Sequence, residues 1–200
     1  MIAVLNLGIS NLTSVLNAFE FLKIDFCVAN TPEEFDKASK FILPGVGSFA
    51  AGMNALESKR FIEPLKKVVL EEEKPLLGIC LGQQLLFESS EESPGIMGLS
   101  LIKGNVLKLP ENADYDIPRI GWGESVFLKD FLGHKKRDKA DFYYIHSFSV
   151  QPENFDVVTI STENINIAGA VKQENIYGCQ FHPEKSYNAG LKILREFSRL

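Results

Sequence analysis

Cys80 stands between two glycines in Gly78-Ile79-Cys80-Leu81-Gly82, where a short apolar run gives way to a helical pattern. G-x-C-x-G at the seam of a strand and a helix is the thiol counterpart of the nucleophile elbow, a sharp turn that lifts a reactive side chain clear of a sheet. The flanking glycines permit the tight backbone and close packing of such a turn. A helix beginning just after the cysteine aims its N–H groups and positive dipole end at the sulfur, which favours the nucleophilic thiolate. A small core cysteine in a glycine-rich turn is the plainer alternative. Cys27 and Cys179 lie inside apolar runs without that setting and read as core residues.

A thiolate nucleophile needs a base, and the base an orienting carboxylate. There are three histidines. His134 falls in the basic cluster His134-Lys135-Lys136-Arg137-Asp138-Lys139, which reads as a solvated loop, with a docking patch as the lesser reading. His146 ends an apolar strand. His182 precedes Pro183 and Glu184. Proline holds the residue before it extended, and residues two apart in extended chain share a side. Glu184 can then bond one ring nitrogen of His182 while the other faces a thiol. A purely structural histidine is the rival reading.

Pro44-Gly45-Val46-Gly47-Ser48-Phe49 follows a third apolar run. Its glycines would let backbone N–H groups approach a carbonyl oxygen as an oxyanion hole. A phosphate loop is the competing reading, but both the GxxxxGK[ST] pattern and the third glycine of GxGxxG are missing. A plain turn is the simplest.

The elements that must position these groups follow from apolar periodicity. Strands are predicted at residues 2–7, 24–29, 41–43 and 76–79, alternating with helices after Asn11, a plausible cap, and after residue 47, the latter split near Pro64. Strand and helix in alternation indicate a doubly wound parallel sheet. From about residue 98 the pattern changes to short strands at 99–109, 124–128, 142–145, 157–161, 167–171 and 176–181, ending in a helix from Tyr187 to Leu200. One three-layer α/β domain over residues 1–200, with extra antiparallel strands, is the economical architecture.

Composition sets the outer bounds. The chain has 200 residues, 45% hydrophobic and 24% charged, an ordinary globular balance. A net charge of −5 argues against a nonspecific nucleic-acid binder. Three cysteines without a CxxC pair suggest neither a disulfide framework nor a zinc site. That cysteine usage fits a reducing cytoplasm best; the N-terminal run reads as too short for a signal peptide, and no stretch approaches a membrane span.

Together "GICLGQQ", "QFHPEKS" and "LPGVGSF" resemble, in chain order, the class I (triad-type) glutamine amidotransferases. The resemblance covers nearly the whole chain. It implies the flavodoxin-like fold of that family, a Cys80–His182–Glu184 triad, and no metal or organic cofactor. Within the family, "NLGISNLTSV", "IPRIGWGES" and "FYYIHSF" resemble the glutaminase subunits of imidazole glycerol phosphate synthase. By that likeness Gln84 and Glu92 hold the amino-acid end of glutamine, and Ser147 and Phe148 line the same pocket. Gly45, Val46, Gly47 and Leu81 serve the oxyanion, and Asn11 and Trp122 face the partner, a (β/α)8-barrel cyclase that takes the ammonia in a heterodimer. Some positions depart from the usual pattern. Asn6-Leu7-Gly8 replaces Asp-Tyr-Gly, Arg119 a histidine, Gly123 an asparagine, and Phe148 a tyrosine. The departures spare the triad and cluster in partner-facing segments. They keep open a paralogue feeding a related synthase, such as one making amidino sugars for a cell-surface polymer.

Overall fold

The computed structural model describes residues 1–9, 11–111, 116–153, 157–161 and 167–200. Among these, nine strands form one mixed sheet, in spatial order β2-β1-β3-β4-β12-β11-β10-β7-β8. Its first half is parallel: β1 (Ile2–Leu5), β2 (Phe26–Ala29), β3 (Lys40–Gly45), β4 (Leu76–Cys80) and, beside β4, β12 (Ile176–Cys179). The second half is antiparallel, through β11 (Ile167–Gln173), β10 (Val157–Ser161), β7 (Arg119–Phe127) and β8 (Lys139–His146). A separate small sheet joins β5 (Ser89–Ser90), β6 (Gly104–Lys108) and β9 (Phe148–Pro152).

Apolar side chains pack on both faces of the large sheet, as the uninterrupted hydrophobic runs of β1 and β4 require. On one face α1 (Leu12–Leu22) and α5 (Tyr187–Ser198) bury Val15, Phe19, Ile193, Leu194 and Phe197. On the other lie α2 (Phe49–Ser58), α3 (Ile62–Lys66) and α4 (Leu81–Leu85), with Phe49, Leu56, Leu65, Leu81 and Leu85 in the core. The three layers match the sequence expectation.

Several elements differ from it. Residues 99–109 form a strand only from Gly104, because residues 99–102 run as loop with Leu99, Leu101 and Ile102 buried. The sequence reading lacks β9, since Ser149, Gln151 and Pro152 leave its five residues little apolar pattern. The long helical region breaks at Arg60, in the left-handed region at φ 56°, before Pro64, which sits inside the first turn of α3 where proline is tolerated. Asn11 occupies the cap position of α1, but its side chain makes no capping hydrogen bond. His134 is not solvent-facing. It is buried, stacks on Phe127 with ring centroids 4.4 Å apart, and its Nε2 meets the Ala189 carbonyl at 3.1 Å. Burial lowers its pKa.

Candidate active site

The site lies at the C-terminal ends of the parallel strands, where open α/β sheets present their ligand crevice. Cys80 ends β4 and holds φ 55° and ψ −111°. That backbone is strained for a residue with a Cβ, and such strain clusters at functional sites. The flanking glycines have ordinary φ values; their role is close approach. A Cβ on Gly82 would lie 1.8 Å from the Leu43 carbonyl oxygen, and one on Gly78 2.6 Å from that of Gly82. The elbow therefore seats α4 directly against β3.

Parallel pairing brings the second group in. Register between β12 and β4 matches Gly178 with Gly78 and Cys179 with Ile79. The chain leaving β12 thus passes alongside Cys80 and delivers Gln180 and His182. His182 is extended, as Pro183 dictates, and a 3-10 turn over Pro183–Lys185 follows. Glu184 reaches back from that turn: its Oε1 lies 2.8 Å from His182 Nδ1, with both side chains almost fully buried. The His182 N–H donates to the Tyr143 carbonyl at 2.9 Å, and Ser186 Oγ donates to the His182 carbonyl at 2.6 Å. Burial alone would push the His182 pKa down. The Cys80 sulfur and the Glu184 carboxylate outweigh it, and the pKa is pushed up to about 10. His182 Nε2 is buried and forms no hydrogen bond of good geometry, which leaves that edge for the sulfur and a reacting group.

A cavity of about 260 Å³ opens over the sulfur, lined by Val46, Gly47, Cys80, Leu81, Gln84 and Glu92 on one side. Residues Pro118, Ile145–Phe148 and His182 close the other. The volume falls below the ~300–1,000 Å³ of pockets for drug-sized ligands and suits one small amino acid. Gln84 Nε2 donates both hydrogens inward, to the Phe148 carbonyl at 3.1 Å and to Gln180 Oε1 at 3.0 Å. Its own carbonyl oxygen is what it can offer a ligand. Glu92 Oε2 accepts the Phe49 N–H at 2.7 Å, and Ser93 Oγ accepts the Ala50 N–H at 3.1 Å. The 92–93 turn thereby anchors the loop that carries Gly47. Gly47 sits at φ 104° with open space where a Cβ would stand. Leu81 opens α4, so its N–H has no partner within the helix.

Most of the expected site residues therefore meet in one cavity: Cys80, His182, Val46, Gly47, Leu81, Gln84, Glu92, Ser147 and Phe148. Glu184 stands behind His182. Gly45 is the exception: it is buried in β3 opposite Cys80, against Leu81, and does not line the cavity. Its contribution is to let β3 and α4 touch.

Gln180, Ile145 and His146 were not foreseen as site residues. His146 is buried, with Nδ1 2.8 Å from the Phe148 carbonyl. A carbonyl only accepts, so Nδ1 carries the hydrogen and Nε2 is bare. Burial lowers its pKa to about 4; the Phe148 bond opposes this, while nearby Arg119 and His182 reinforce it. Alternation along β8, with Tyr144 and His146 inward, was the available signal.

On the outer face of β7 and β8, register pairs Ile120 with Ile145 and Trp122 with Tyr143. Ile120 is 59% and Tyr187 77% exposed, and Trp122 stacks on Tyr187 with centroids 5.0 Å apart. This is a contiguous exposed apolar patch of the kind that marks interaction sites. Asn11 is partly buried at the start of α1.

Comparison with known proteins identifies the family. Residues 3–199 match the family described as glutamine amidotransferase class-I. An imidazole glycerol phosphate synthase subunit HisH 1 of Campylobacter jejuni is 42% identical, with all of both chains covered. The HisH subunit of Pyrococcus furiosus is also 42% identical, over 100% of this chain and 98% of its own. Among solved structures, a glutamine amidotransferase superposes with TM-score 0.79 at 17% identity, covering 100% and 99% of the two chains. PurLQS from Thermotoga maritima superposes with TM-score 0.78 at 18% identity, covering 99% and 97%. At those identities the structures speak for the fold alone. No helix among the described residues is long and apolar enough to cross a membrane. The family match over nearly the whole chain, together with full-length relatives at this identity, places the protein in the class-I glutamine amidotransferases, on their HisH branch.

Proposed function

We propose that this chain hydrolyses glutamine to glutamate and ammonia through Cys80, His182 and Glu184. The ammonia passes to the (β/α)8-barrel cyclase subunit of imidazole glycerol phosphate synthase, in histidine biosynthesis. The observation that carries the reading is a strained Cys80 beside a buried His182–Glu184 pair, at the floor of a cavity of amino-acid size.

The Cys80 sulfur attacks the side-chain carboxamide carbon of glutamine. The Leu81 N–H and the Val46–Gly47 loop receive the developing oxyanion; removal of one such donor typically costs about 3 kcal/mol. His182, kept protonated by its neighbours, gives its proton to the departing nitrogen, and Glu184 holds the ring in place. A water that yields its proton to His182 then splits the thioester and releases glutamate. Gln84 Oε1 and Glu92 accept from the substrate ammonium. One peptide rotation before Gly47 presents or withdraws a donor, so the partner can govern turnover through this loop. Equal glutamine hydrolysis by the isolated chain and the complex would refute that switch.

The direct test replaces Cys80 with alanine and measures glutamate release by the complex. Loss of at least ~1,000-fold is expected for removal of a covalent nucleophile. Release at the native rate would overturn the assignment.

A further inference from the structure

Gln180 is fully buried between two site residues; it opens the QFHPEKS segment, but the Cys–His–Glu chemistry gives it no part. Its backbone N–H donates to the Gly169 carbonyl at 2.9 Å, which fixes the strand exit. Its side-chain amide bridges Gln84 and Cys80, with Nε2 3.8 Å from the Cys80 sulfur.

Which end of that amide faces the sulfur follows from hydrogen-bond logic. Gln84 sits against the Phe148 carbonyl, which can only accept, so Gln84 must turn its NH₂ toward it. The second hydrogen of the same NH₂ points at Gln180, so Gln180 must present oxygen there. Flipping either amide would set donor against donor or acceptor against acceptor. The NH₂ of Gln180 is therefore left for the sulfur. Besides the His182 ring, the sulfur also neighbours the Ile145 carbonyl at 3.8 Å, which accepts from a thiol and repels a thiolate. Between that carbonyl and the amide, Gln180 is the side chain whose hydrogen bond strengthens as the sulfur becomes charged.

We propose that Gln180 is a thiolate-stabilising residue of this site, locked as a donor to Cys80 by the Phe148–Gln84–Gln180 relay. The inference rests on Cys80 as the nucleophile. Other ionisable and charged groups around the sulfur are His182 and Glu184 beyond β12, His146 on β8, Arg119 on β7 and Glu92 across the cavity. All of them persist when Gln180 is replaced, so a change in pH response is attributable to the amide.

The test alkylates the full-length chain with iodoacetamide across pH and follows the peptide carrying Cys80 by mass. Gln180→Met keeps the volume and removes the donor. It is expected to alkylate about tenfold more slowly at neutral pH and to recover the wild-type rate at alkaline pH, as loss of a hydrogen bond to a charged group requires. Gln180→Glu, which sets a carboxyl against the sulfur, is expected to slow it at least as much. Circular dichroism establishes that each variant is folded, and either folded variant decides. A wild-type rate at neutral pH, or a deficit equal at every pH, overturns the role of Gln180 while leaving Cys80 untouched. Cys80→Ala with undiminished glutamate release sinks the nucleophile assignment itself and is scored separately.

Discussion

His146 and His182 line one cavity and hold different charge states at neutral pH, one neutral and one protonated. His182 has two acidic neighbours and stays protonated; His146 has burial and a nearby guanidinium and stays neutral. Each has a consequence for stability. The pKa of His146 falls from 6.5 unfolded to about 4 folded. Its contribution is thus present above the unfolded value and is lost as pH falls through the folded one. His146→Asn retains a donor for the Phe148 carbonyl without the titration. Chemical denaturation is expected to show the variant losing about 2 kcal/mol less than wild type between neutral pH and about pH 4.5. The raised pKa of His182 works the other way. Its contribution is whole below 6.5 and disappears as pH climbs through about 10. Melting temperature in the native chain is expected to decline over that alkaline range, and less so in His182→Gln.

At the scale of elements, two glycines near the cavity do different work. Gly82 has no room: its Cβ would overlap the Leu43 carbonyl. Gly82→Ala is expected to cost at least about 3 kcal/mol in denaturant unfolding, in the range reserved for backbone clashes and core disruption. Gly47 has room but a left-handed backbone. Gly47→Ala is expected to cost only about 1–2 kcal/mol, the strain of a Cβ at positive φ. Glutamine turnover in the complex is nevertheless expected to fall, because the peptide before it can no longer rotate freely. The elbow was legible because G-x-C-x-G is a local demand of one sharp turn. That Gly82 answers to β3 rather than to its own φ was not, because the Leu43 carbonyl is 39 residues away in sequence. The Arg60 break was also hidden, since proline is the louder local signal.

At the scale of the whole molecule, β8 joins the exposed apolar patch to the chemistry. Tyr143 and Ile145 face outward beside Trp122 and Ile120, while their carbonyls meet the His182 N–H and the Cys80 sulfur. A partner seated on that face would press on the strand that touches both reacting groups. Ile120→Asp is expected to abolish binding to the cyclase subunit in a pull-down or titration. It is expected to shift stability of the isolated chain by no more than about 0.5 kcal/mol, as for other surface substitutions. Native affinity in the variant would show that the patch has another role.

The sequence by itself determined the layered α/β class, the elbow, the H-P-E pair and the glycine loop. Each is written in near neighbours: a hydrophobic period, a glycine beside a cysteine, a proline that fixes the residue before it. Only tertiary structure decided that β12 lies parallel to β4. That pairing sets Gln180 and His182 beside Cys80 across about a hundred residues of chain, while the β3–β4 pairing keeps Gly45 off the cavity wall and packing against Phe127 and α5 buries His134. Strand order depends on which apolar faces find each other in space, and no local pattern of residue types encodes that choice.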